Sequence, residues 1–368
     1  MTAFARIVSA DSHVLEPPDL WTGRLPMVHR PMAPRIVESS VRGVCLIGPG
    51  IPAVGLTDAT SPATRLVGHR VGLDALLRGG SEVPARLEDS DADGVAAEIL
   101  YPTAGLMLHG MPDGRLRRAC FTVYNDWLAE MCAQAPDRLF GLALLDVEDA
   151  GAAVEELDRA HAMGFVGGLI PGRPPTGHYA EPRFHPLWQF ASRRRLPISI
   201  HAFSERDPAD TLGSGLDLVA AMDPIFPMHR TMALLAVGGV LARFPDLRLV
   251  SSEFDAGWVP YLYERLDRLA DRCGLPAVAD AVLDPPSTYL RRQVSYGFQR
   301  DPVAIELRAR IGPGALLWGS DYPHAASFWP GSVKMLEDLL ADVADDERDA
   351  IVGGNAIALY GLEAALPA

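Results

Sequence analysis

Short apolar runs alternate along the chain with longer segments that repeat at helical spacing. Eight of these runs are rich in aliphatic residues and end in polar or glycine-rich turns. They occupy residues 6–13, 94–102, 139–146, 166–171, 196–201, 247–253, 293–298 and 315–321. Short runs that are apolar on both sides of the backbone are typical of fully buried strands. The pattern therefore predicts eight strands of one parallel sheet.

The segments between the predicted strands have the spacing of amphipathic helices. Residues 150–163 place Ala153, Leu157, Ala160 and His161 on one face. Helical spacing also fits residues 185–195, 230–244 and 332–340. Strands that alternate with helices predict an α/β fold, and eight such units predict a closed (β/α)8 TIM barrel. An open doubly wound sheet is the alternative, but no glycine-rich phosphate-binding sequence follows the first strand.

One segment interrupts this alternation. Residues 14–93, between the first and second predicted strands, are rich in proline and glycine and include a candidate β-hairpin at 35–46 and 50–56. A long segment without the barrel pattern is more easily accommodated as an insertion than as part of the ring of strands. We therefore expect a single domain over residues 1–368, with 14–93 as an insertion that covers the barrel mouth.

Composition limits the partners. Of the 368 residues, 48% are hydrophobic, and the formal net charge is −14. This charge disfavours nucleic acid and anionic membranes as main partners, because both are bound by basic surfaces. No apolar run is long enough to span a membrane, and the first residues lack the features of a signal peptide. We expect a cytoplasmic protein that acts on a small molecule.

The cysteines are predicted to have no chemical role. Cys45, Cys120, Cys132 and Cys273 show no metal-binding spacing, and a disulfide framework is unusual in so long a chain. We expect buried free thiols.

Three predicted strands end in residues that bind metals. Asp11 and His13 end the first strand, His201 ends the fifth and Asp321 ends the eighth. The reactive groups of such barrels stand at the carboxyl ends of the strands. Side chains two residues apart on a strand point the same way, so Asp11 and His13 should face the interior and Ser12 should face away. Two carboxylates and two imidazoles suit zinc or manganese, and also iron, with one position open for water or substrate.

Each of these residues also has an ordinary structural explanation. An Asp-x-His triplet occurs by chance in many proteins, and a histidine at a strand end is commonly a core or surface group. Asp321 is also suited to cap the turn that follows it. The joint placement of all four residues at the ends of strands one, five and eight is what predicts a metal site.

Further motifs occur in an order that resembles one family. They are DSHVLEPPDLW at 11–21, DADGV at 91–95, LYPT at 100–103, PDRL at 136–139, PLW at 186–188, GWVP at 257–260, GSDYPH at 319–324, and NA at 355–356 followed by LYG at 359–361. Over nearly its whole length the chain is similar to the amidohydrolase-related family, in the branch of aminocarboxymuconate-semialdehyde decarboxylase and γ-resorcylate decarboxylase. The resemblance implies one divalent metal ion, zinc or manganese, and a barrel that pairs as a homodimer. Its implied ligands are Asp11, His13, His201 and Asp321.

Two positions depart from the decarboxylases of this branch. Their first-strand pair is H-x-H in one enzyme and E-x-H in the other; Asp11 matches the carboxylate in kind, and an oxygen ligand favours manganese. The decarboxylases also carry a histidine after the sixth strand that acts on substrate or bound water, and here that region has Glu253. A carboxylate can act as a base or orient water, but it cannot supply a positive charge. The alternative for Glu253 is a structural role as the partner of a ligand histidine.

Other polar residues near the predicted mouth are candidates for the site. His324 joins Asp321 and Glu253 as a catalytic candidate, although it is also placed to buttress the aspartate or to face solvent. Glu16 and His229 are candidates for substrate binding, with organising the turn at 17–18 and satisfying a helix end as their structural alternatives. Arg173, after the fourth strand, and Arg300, after the seventh, are the candidate cations for a substrate carboxylate.

Three functions fit this set of residues. In a decarboxylase of a small carboxylated substrate, such as a hydroxylated aromatic acid, Asp321 would protonate the carbon that loses carbon dioxide. In a hydrolase, metal-activated water would attack an amide, ester, lactone or activated carbon–carbon bond. The third hypothesis is a binding protein that has the same barrel but no catalytic activity. It is disfavoured because all four candidate ligand positions hold residue types that bind metals. The family resemblance favours decarboxylation.

Overall fold

The computed structural model describes residues 4–39, 43–55, 73–202, 204, 225–274, 283–324 and 326–366. The strands of these segments are β1 (Ile7–Val14), β2 (Arg35–Ser39), β3 (Gly43–Gly48), β4 (Ile51–Gly55), β5 (Val95–Pro102), β6 (Leu139–Leu144), β7 (Gly167–Pro171), β8 (Ile198–His201), β9 (Leu249–Ser252), β10 (Val294–Phe298) and β11 (Leu316–Trp318).

Helices connect these strands. In the same segments they are α1 (Leu20–Arg24), α2 (Leu73–Ser81), α3 (Val83–Ala92), α4 (Ala104–Met107), α5 (Gly114–Cys132), α6 (Ala150–Ala162), α7 (His185–Arg194), α8 (Ile225–Val237), α9 (Val240–Arg243), α10 (Val259–Cys273), α11 (Pro286–Gln293), α12 (Pro302–Glu306), α13 (Arg308–Ile311), α14 (Ser332–Leu339), α15 (Asp345–Asp349) and α16 (Asn355–Tyr360).

The main sheet is a ring of eight parallel strands. Its order is β1, β5, β6, β7, β8, β9, β10 and β11, and each neighbouring pair is parallel. Between β1 and the segment after β11, the amide of Asp321 donates to the carbonyl of Asp11 (2.9 Å) and the amide of His13 donates to the carbonyl of Tyr322 (2.7 Å). The predicted (β/α)8 barrel is therefore confirmed.

All eight predicted strands are present, with ends shifted by a few residues. The largest difference is at the last strand, which ends at Trp318 rather than at residue 321. The backbone leaves the extended conformation here, because Asp321 has a φ of 57°, in the left-handed region that strand residues do not occupy. The predicted ligand therefore lies on the turn after β11 rather than on the strand itself.

One predicted helix is divided. The spacing over residues 230–244 predicts a continuous helix, but the structure has α8 and α9, separated at Gly238 and Gly239. Gly239 has a φ of 79°, a conformation that a helix cannot contain and that glycine adopts at little cost. Periodicity alone does not register such a break, because the apolar positions continue on both sides of it.

Residues 14–93 contain a second, smaller sheet. The predicted hairpin is a three-stranded antiparallel sheet of order β2-β3-β4, and residue 56, the last of the predicted hairpin, lies outside the described residues. The turn residue Gly50 packs so closely on Pro112 that a Cβ atom there would overlap the proline ring. Since Pro112 belongs to the connection after β5, this sheet lies beside a loop at the carboxyl ends of the barrel strands. That residues 14–93 cover the mouth stays a prediction.

Apolar side chains fill the space between the sheet and its helices. Trp21, Trp188 and Trp318 are fully buried. The cysteines are free thiols as predicted, but burial holds only for Cys45 and Cys120, because Cys132 is half-buried and Cys273 is exposed. Among the described residues, no helix has both the length and the apolar character needed to cross a membrane.

The amino-terminal end of the barrel is packed against a π-helical turn, Ala350–Gly354. A Cβ atom at Gly353 would overlap the carbonyl oxygen of Arg6 and lie 3.1 Å from the amide nitrogen of Val8. Gly314, in contrast, has open space around the position that a Cβ atom would take. A change to alanine at Gly353 therefore tests the packing against β1. The same change at Gly314 shows the effect of replacing glycine by alanine where no packing is disturbed.

We predict that Gly353→Ala lowers the free energy of unfolding by about 1–3 kcal/mol, the usual effect of forcing extra atoms into a packed region. The midpoint of thermal unfolding, followed by circular dichroism, should fall by several degrees. Gly314→Ala is the control and should change stability by less than about 0.5 kcal/mol. Equal midpoints for the two variants would contradict the packing of this turn against β1.

Candidate metal centre

The first strand presents two candidate ligands at its carboxyl end. β1 changes register against β5 between Ser9 and Ser12. The hydroxyl of Ser12 is bonded to the hydroxyls of Ser9 (2.8 Å) and Ser320 (2.9 Å), so a polar cluster holds β1 to the turn after β11. Asp11 and His13, on either side of Ser12, both contribute to the cluster of ligand atoms, as their spacing predicts.

Backbone carbonyls set the tautomers of two histidines. Nδ1 of His13 lies 2.8 Å from the carbonyl oxygen of Pro102, and Nδ1 of His201 lies 2.7 Å from that of Ala202. A carbonyl oxygen only accepts hydrogen bonds, so each Nδ1 must carry the proton. In a neutral imidazole this leaves Nε2 with a free lone pair, which is the usual arrangement of a metal-binding histidine.

The predicted ligands form two groups that share His13. The ligand atoms of Asp11, His13 and His201 lie within 4.8 Å of one another, and so do those of His13, Asp321 and His324. Nε2 of His13 lies 3.4 Å from Oδ1 of Asp11 and 3.5 Å from Oδ1 of Asp321. Nε2 of His201 lies 3.7 Å from Oδ2 of Asp11. Ligand atoms about 2.1 Å from a shared tetrahedral ion are about 3.4 Å apart, so these separations fit an ion held by Asp11, His13 and His201. That Asp321 is its fourth ligand stays a prediction.

Three of these ligand atoms are buried without a hydrogen-bond partner among the described residues: Oδ1 of Asp11, Nε2 of His13 and Nε2 of His201. A buried polar atom without a partner costs free energy unless another group satisfies it. The side chains of both histidines are fully buried, and that of Asp11 is nearly so. The donor set therefore fits a cation.

Protonation at the cluster also suits a cation. Burial alone would raise the pKa of Asp11, but the neighbouring His201 and His13 outweigh it and hold the pKa well below its usual value. Burial and the neighbouring His324 lower the pKa of His13 to about 4. At neutral pH the carboxylate is ionised and the imidazole is neutral, which are the states that bind metals.

Asp321 and His324 form a hydrogen-bonded pair. Nδ1 of His324 lies 2.7 Å from Oδ1 of Asp321, and its Nε2 lies 2.9 Å from the hydroxyl of Thr103. Its ring stacks on His13, with centroids 4.0 Å apart. Burial alone would lower the pKa of His324, but the carboxylates of Asp321, Asp11 and Glu16 outweigh it and raise the pKa. The sequence left open whether His324 contacts Asp321 or faces solvent, and in the structure it contacts Asp321.

Glu253 lies on the opposite side of the cluster. It follows β9, and its Oε2 lies 3.5 Å from Nε2 of His201. Burial raises the pKa of Glu253 well above its usual value, and the nearby carboxylates of Asp321, Asp11 and Asp255 raise it further. Glu253 therefore belongs to the same cluster, and its carboxylate stands where the related decarboxylases are expected to have a histidine.

Backbone strain is concentrated at this cluster. Glu253, Asp255 and Asp321 have φ values of 65°, 54° and 57°, in a region that non-glycine residues rarely occupy. One carboxylate oxygen of Asp301 accepts the amides of Ala256 (2.9 Å) and Gly257 (2.7 Å) and so holds the loop that carries Glu253. Strained residues of this kind persist where the surrounding structure fixes them, and they are common at functional sites.

Glu16 contacts the backbone of the loop after β5. It is fully buried, and its two oxygens accept the amides of Ala104 (2.9 Å) and Gly105 (2.8 Å) at the start of α4. Burial raises the pKa of Glu16 to about 7, although these hydrogen bonds favour the ionised form. Both oxygens accept backbone amides, so Glu16 anchors the loop after β5. Its contact with a substrate stays a prediction.

The other three substrate-binding candidates lie outside the ligand cluster. His229 is on α8, with its ring 4.4 Å from that of Trp258 and its Nε2 buried without a hydrogen-bond partner among the described residues. Arg173 and Arg300 have exposed side chains on the connections after β7 and β10. Their contact with a substrate stays a prediction.

Sequence reasoning missed a tyrosine beneath the cluster. The hydroxyl of Tyr101 bonds to those of Ser199 (2.9 Å) and Ser252 (2.8 Å) inside the barrel, and its ring centroid lies 5.0 Å from that of His201 and 5.9 Å from that of His13. The available signal was its position near the carboxyl end of a predicted strand. Its partners, on β8 and β9, could not be inferred from the sequence.

Comparison with known proteins places this geometry in context. A family model described as "Amidohydrolase" matches residues 29–362. A γ-resorcylate decarboxylase from Rhizobium sp. (strain MTP-10005) is 26% identical over 304 residues, which cover 76% of this chain and 87% of that protein.

Solved structures share the fold. The crystal structure of amidohydrolase map2389c from Mycobacterium avium subsp. paratuberculosis K-10 has a TM-score of 0.80 at 22% identity, over 98% of each chain. A dihydroxybenzoic acid decarboxylase from Polaromonas sp. JS666, solved with bound manganese and the inhibitor 2-nitroresorcinol, has a TM-score of 0.68 at 18% identity, over 97% of each chain.

We predict that Asp11→Asn and His201→Ala each weaken metal binding by more than about tenfold, because even the loss of an outer partner of a ligand costs about 10–100-fold. Protein loaded with zinc or manganese and then dialysed would be assayed for bound metal by mass spectrometry. His161→Ala is the control, because this exposed histidine lies on α6, outside the cluster. Wild-type metal content in both ligand variants would contradict the assignment.

Proposed function

This chain belongs to the amidohydrolase family, and from that premise we propose that it catalyses the metal-dependent, non-oxidative decarboxylation of a small carboxylated substrate. The observation that carries the proposal is the buried group of Asp11, His13 and His201, whose three ligand atoms lack a partner within the described residues. Oδ1 of Asp321 lies 3.5 Å from Nε2 of His13. The choice of reaction is supported by a relative that spans most of the chain and is named as a γ-resorcylate decarboxylase. We propose hydroxylated aromatic acids as the first substrate class to test.

The proposed cofactor is one divalent ion, zinc or manganese. Two carboxylates among four ligands favour the harder ion relative to an all-histidine site. The Polaromonas decarboxylase was solved with manganese, which supports the same preference. We therefore propose manganese first and zinc as the alternative.

The proposed reaction replaces a carboxylate on carbon by a proton. The bond between the ring carbon and the carboxylate breaks, carbon dioxide leaves, and the electron pair left on carbon takes up the proton. A bound divalent ion would polarise a substrate oxygen and offset the negative charge that develops. Asp321 is proposed to deliver the proton, and the hydrogen bond of 2.7 Å from Nδ1 of His324 to its Oδ1 places a second proton carrier beside it.

We predict that metal-loaded protein releases carbon dioxide from at least one hydroxybenzoic acid and that Asp321→Asn reduces kcat by about 10²–10⁴-fold, the usual contribution of a general acid. Release would be measured in a coupled carbon dioxide assay over a panel of such acids. Chelation should abolish it, and added manganese or zinc should restore it. Asp246→Asn is the control, because Asp246 is an exposed residue before β9. The proposal fails if fully metallated protein releases carbon dioxide from none of the acids.

Hydrolysis is the second candidate, and Glu253 is the observation that favours it. Its carboxylate lies 3.5 Å from Nε2 of His201, where it can take a proton from an attacking water molecule. The same residue cannot provide the positive charge that a histidine would offer to an anionic substrate. A hydrolase would share all four metal ligands, so only turnover can decide between the two reactions.

The two candidates predict different substrates and different sensitive residues. Under the hydrolase alternative, esters or lactones are turned over, and Glu253→Gln lowers kcat by about 10²–10⁴-fold as a lost general base. Under the decarboxylase proposal, only the acids react, and Asp321→Asn is the more damaging change. Both variants would be assayed against both panels at equal metal content. Turnover of esters with no release of carbon dioxide would reverse our preference.

A further inference from the structure

A buried arginine joins the first two barrel strands beside the cluster. Arg86, on α3, is fully buried, and its Nε and Nη2 donate to the two carboxylate oxygens of Glu98 on β5 at 2.9 and 2.8 Å. Its Nη1 donates to the carbonyl oxygen of His13 (2.7 Å) and to that of Gly79 (3.1 Å). One guanidinium therefore fixes the backbone of a candidate ligand against the neighbouring strand.

A second residue of the same helix reaches the other side of the ring closure. Asp89, three residues after Arg86, accepts a hydrogen bond of 2.5 Å from the hydroxyl of Tyr322, and residues three apart on a helix share a face. The guanidinium of Arg86 also lies 5.3 Å from the centre of the Tyr322 ring. Tyr322 follows Asp321 directly, so α3 is tied to the backbone on both sides of the closure.

These contacts converge on two ligands that lie far apart in the sequence. The carbonyl of Tyr322 accepts the amide of His13, and the carbonyl of Asp11 accepts the amide of Asp321. From α3, Arg86 binds the backbone of β1 at the carbonyl of His13. Asp89 binds the side chain of Tyr322, which follows Asp321 in the turn after β11. A shift of α3 would change the separation of His13 and Asp321.

Stability alone does not account for the buried pair of Arg86 and Glu98. Replacing a buried ion pair by apolar residues of similar size is often neutral or stabilising, because burying two charges costs as much as their attraction returns. Apolar residues cannot, however, donate to the carbonyl of His13. The contact that apolar packing cannot replace is the hydrogen bond from Arg86 to the backbone carbonyl of His13.

We propose that Arg86 and Asp89 are positioning residues that act through α3 to hold His13 and Asp321 at metal-binding separation. This inference rests on the proposed metal centre but not on the reaction that it catalyses. Neither residue provides a ligand atom to the centre. Their effect is on how well the ligand set is arranged before the ion binds, as with outer partners of metal ligands in general.

The test is the metal affinity of full-length variants, measured by competition with a chromophoric chelator for manganese and for zinc. The double change Arg86→Met with Glu98→Leu removes both charges together, and Tyr322→Phe removes a single hydroxyl. We expect the double variant to bind about 10–100-fold more weakly and Tyr322→Phe several-fold more weakly, as for the loss of outer partners of ligands. The electron paramagnetic resonance spectrum of bound manganese should change in both.

The matched control is a second arginine–glutamate pair away from the cluster. Arg308 and Glu347 form a half-buried ion pair with Nε and Oε2 3.0 Å apart, and Arg308→Met with Glu347→Leu should leave metal affinity unchanged. Thermal unfolding of the metal-free proteins separates loss of affinity from loss of fold. If the Arg86 double variant does not fold, Tyr322→Phe and Asp89→Ala carry the test, because each removes the hydrogen bond between these two side chains.

The outcomes separate this inference from the proposed function. Variants with wild-type metal affinity and an unchanged manganese spectrum overturn the positioning role and leave the metal centre intact. A wild-type protein that binds neither metal overturns both. Weaker binding in folded variants supports the positioning role even if no acid is decarboxylated.

Discussion

The site depends on the hydrogen bonds that close the ring between β1 and the turn after β11. These bonds join the backbone of Asp11 to that of Asp321 and the backbone of His13 to that of Tyr322, so residues near the two ends of the chain become neighbours. Gly319 allows the approach, because a Cβ atom there would lie 2.6 Å from that of Asp11. Without this closure the two carboxylates would not face the same histidine.

The cluster that results has more negative than positive charge in a buried space. Asp11, Glu253 and Asp321 lie around two imidazoles whose Nδ1 atoms donate to backbone carbonyls, which directs each Nε2 toward the cluster. The pKa of Glu253 is raised by burial and by its three acidic neighbours, Asp321, Asp11 and Asp255, which is a direct effect of this crowding. A divalent ion at the centre would relieve both the repulsion and the unmet hydrogen-bonding capacity of the three partnerless ligand atoms.

Much of the fold and the ligand set follows from the sequence, because strand periodicity and strand ends are local properties. The eight apolar runs became the eight barrel strands, and the motif order correctly identified the family. Local patterns could not predict the break at Gly239, which depends on backbone conformation, or the anchoring role of Glu16, which depends on amides after β5. Arg86 and Tyr101 were missed for the same reason, because their partners come from other strands and helices. That the barrel pairs as a homodimer stays a prediction.

The difference between the two candidate reactions lies in the loop after β9 rather than in the metal ligands. A carboxylate there is crowded by Asp321 and Asp11, and its backbone is held in a left-handed conformation by a loop that Asp301 fixes through two amides. A side chain with only a packing role would not require this strain, since a glycine would adopt the same backbone at lower cost. That Glu253 serves the cluster through its carboxylate stays a prediction. In a decarboxylase this carboxylate would orient the acid and its proton donors, and in a hydrolase it would activate water, so the two candidate reactions assign it different roles around the same metal ligands.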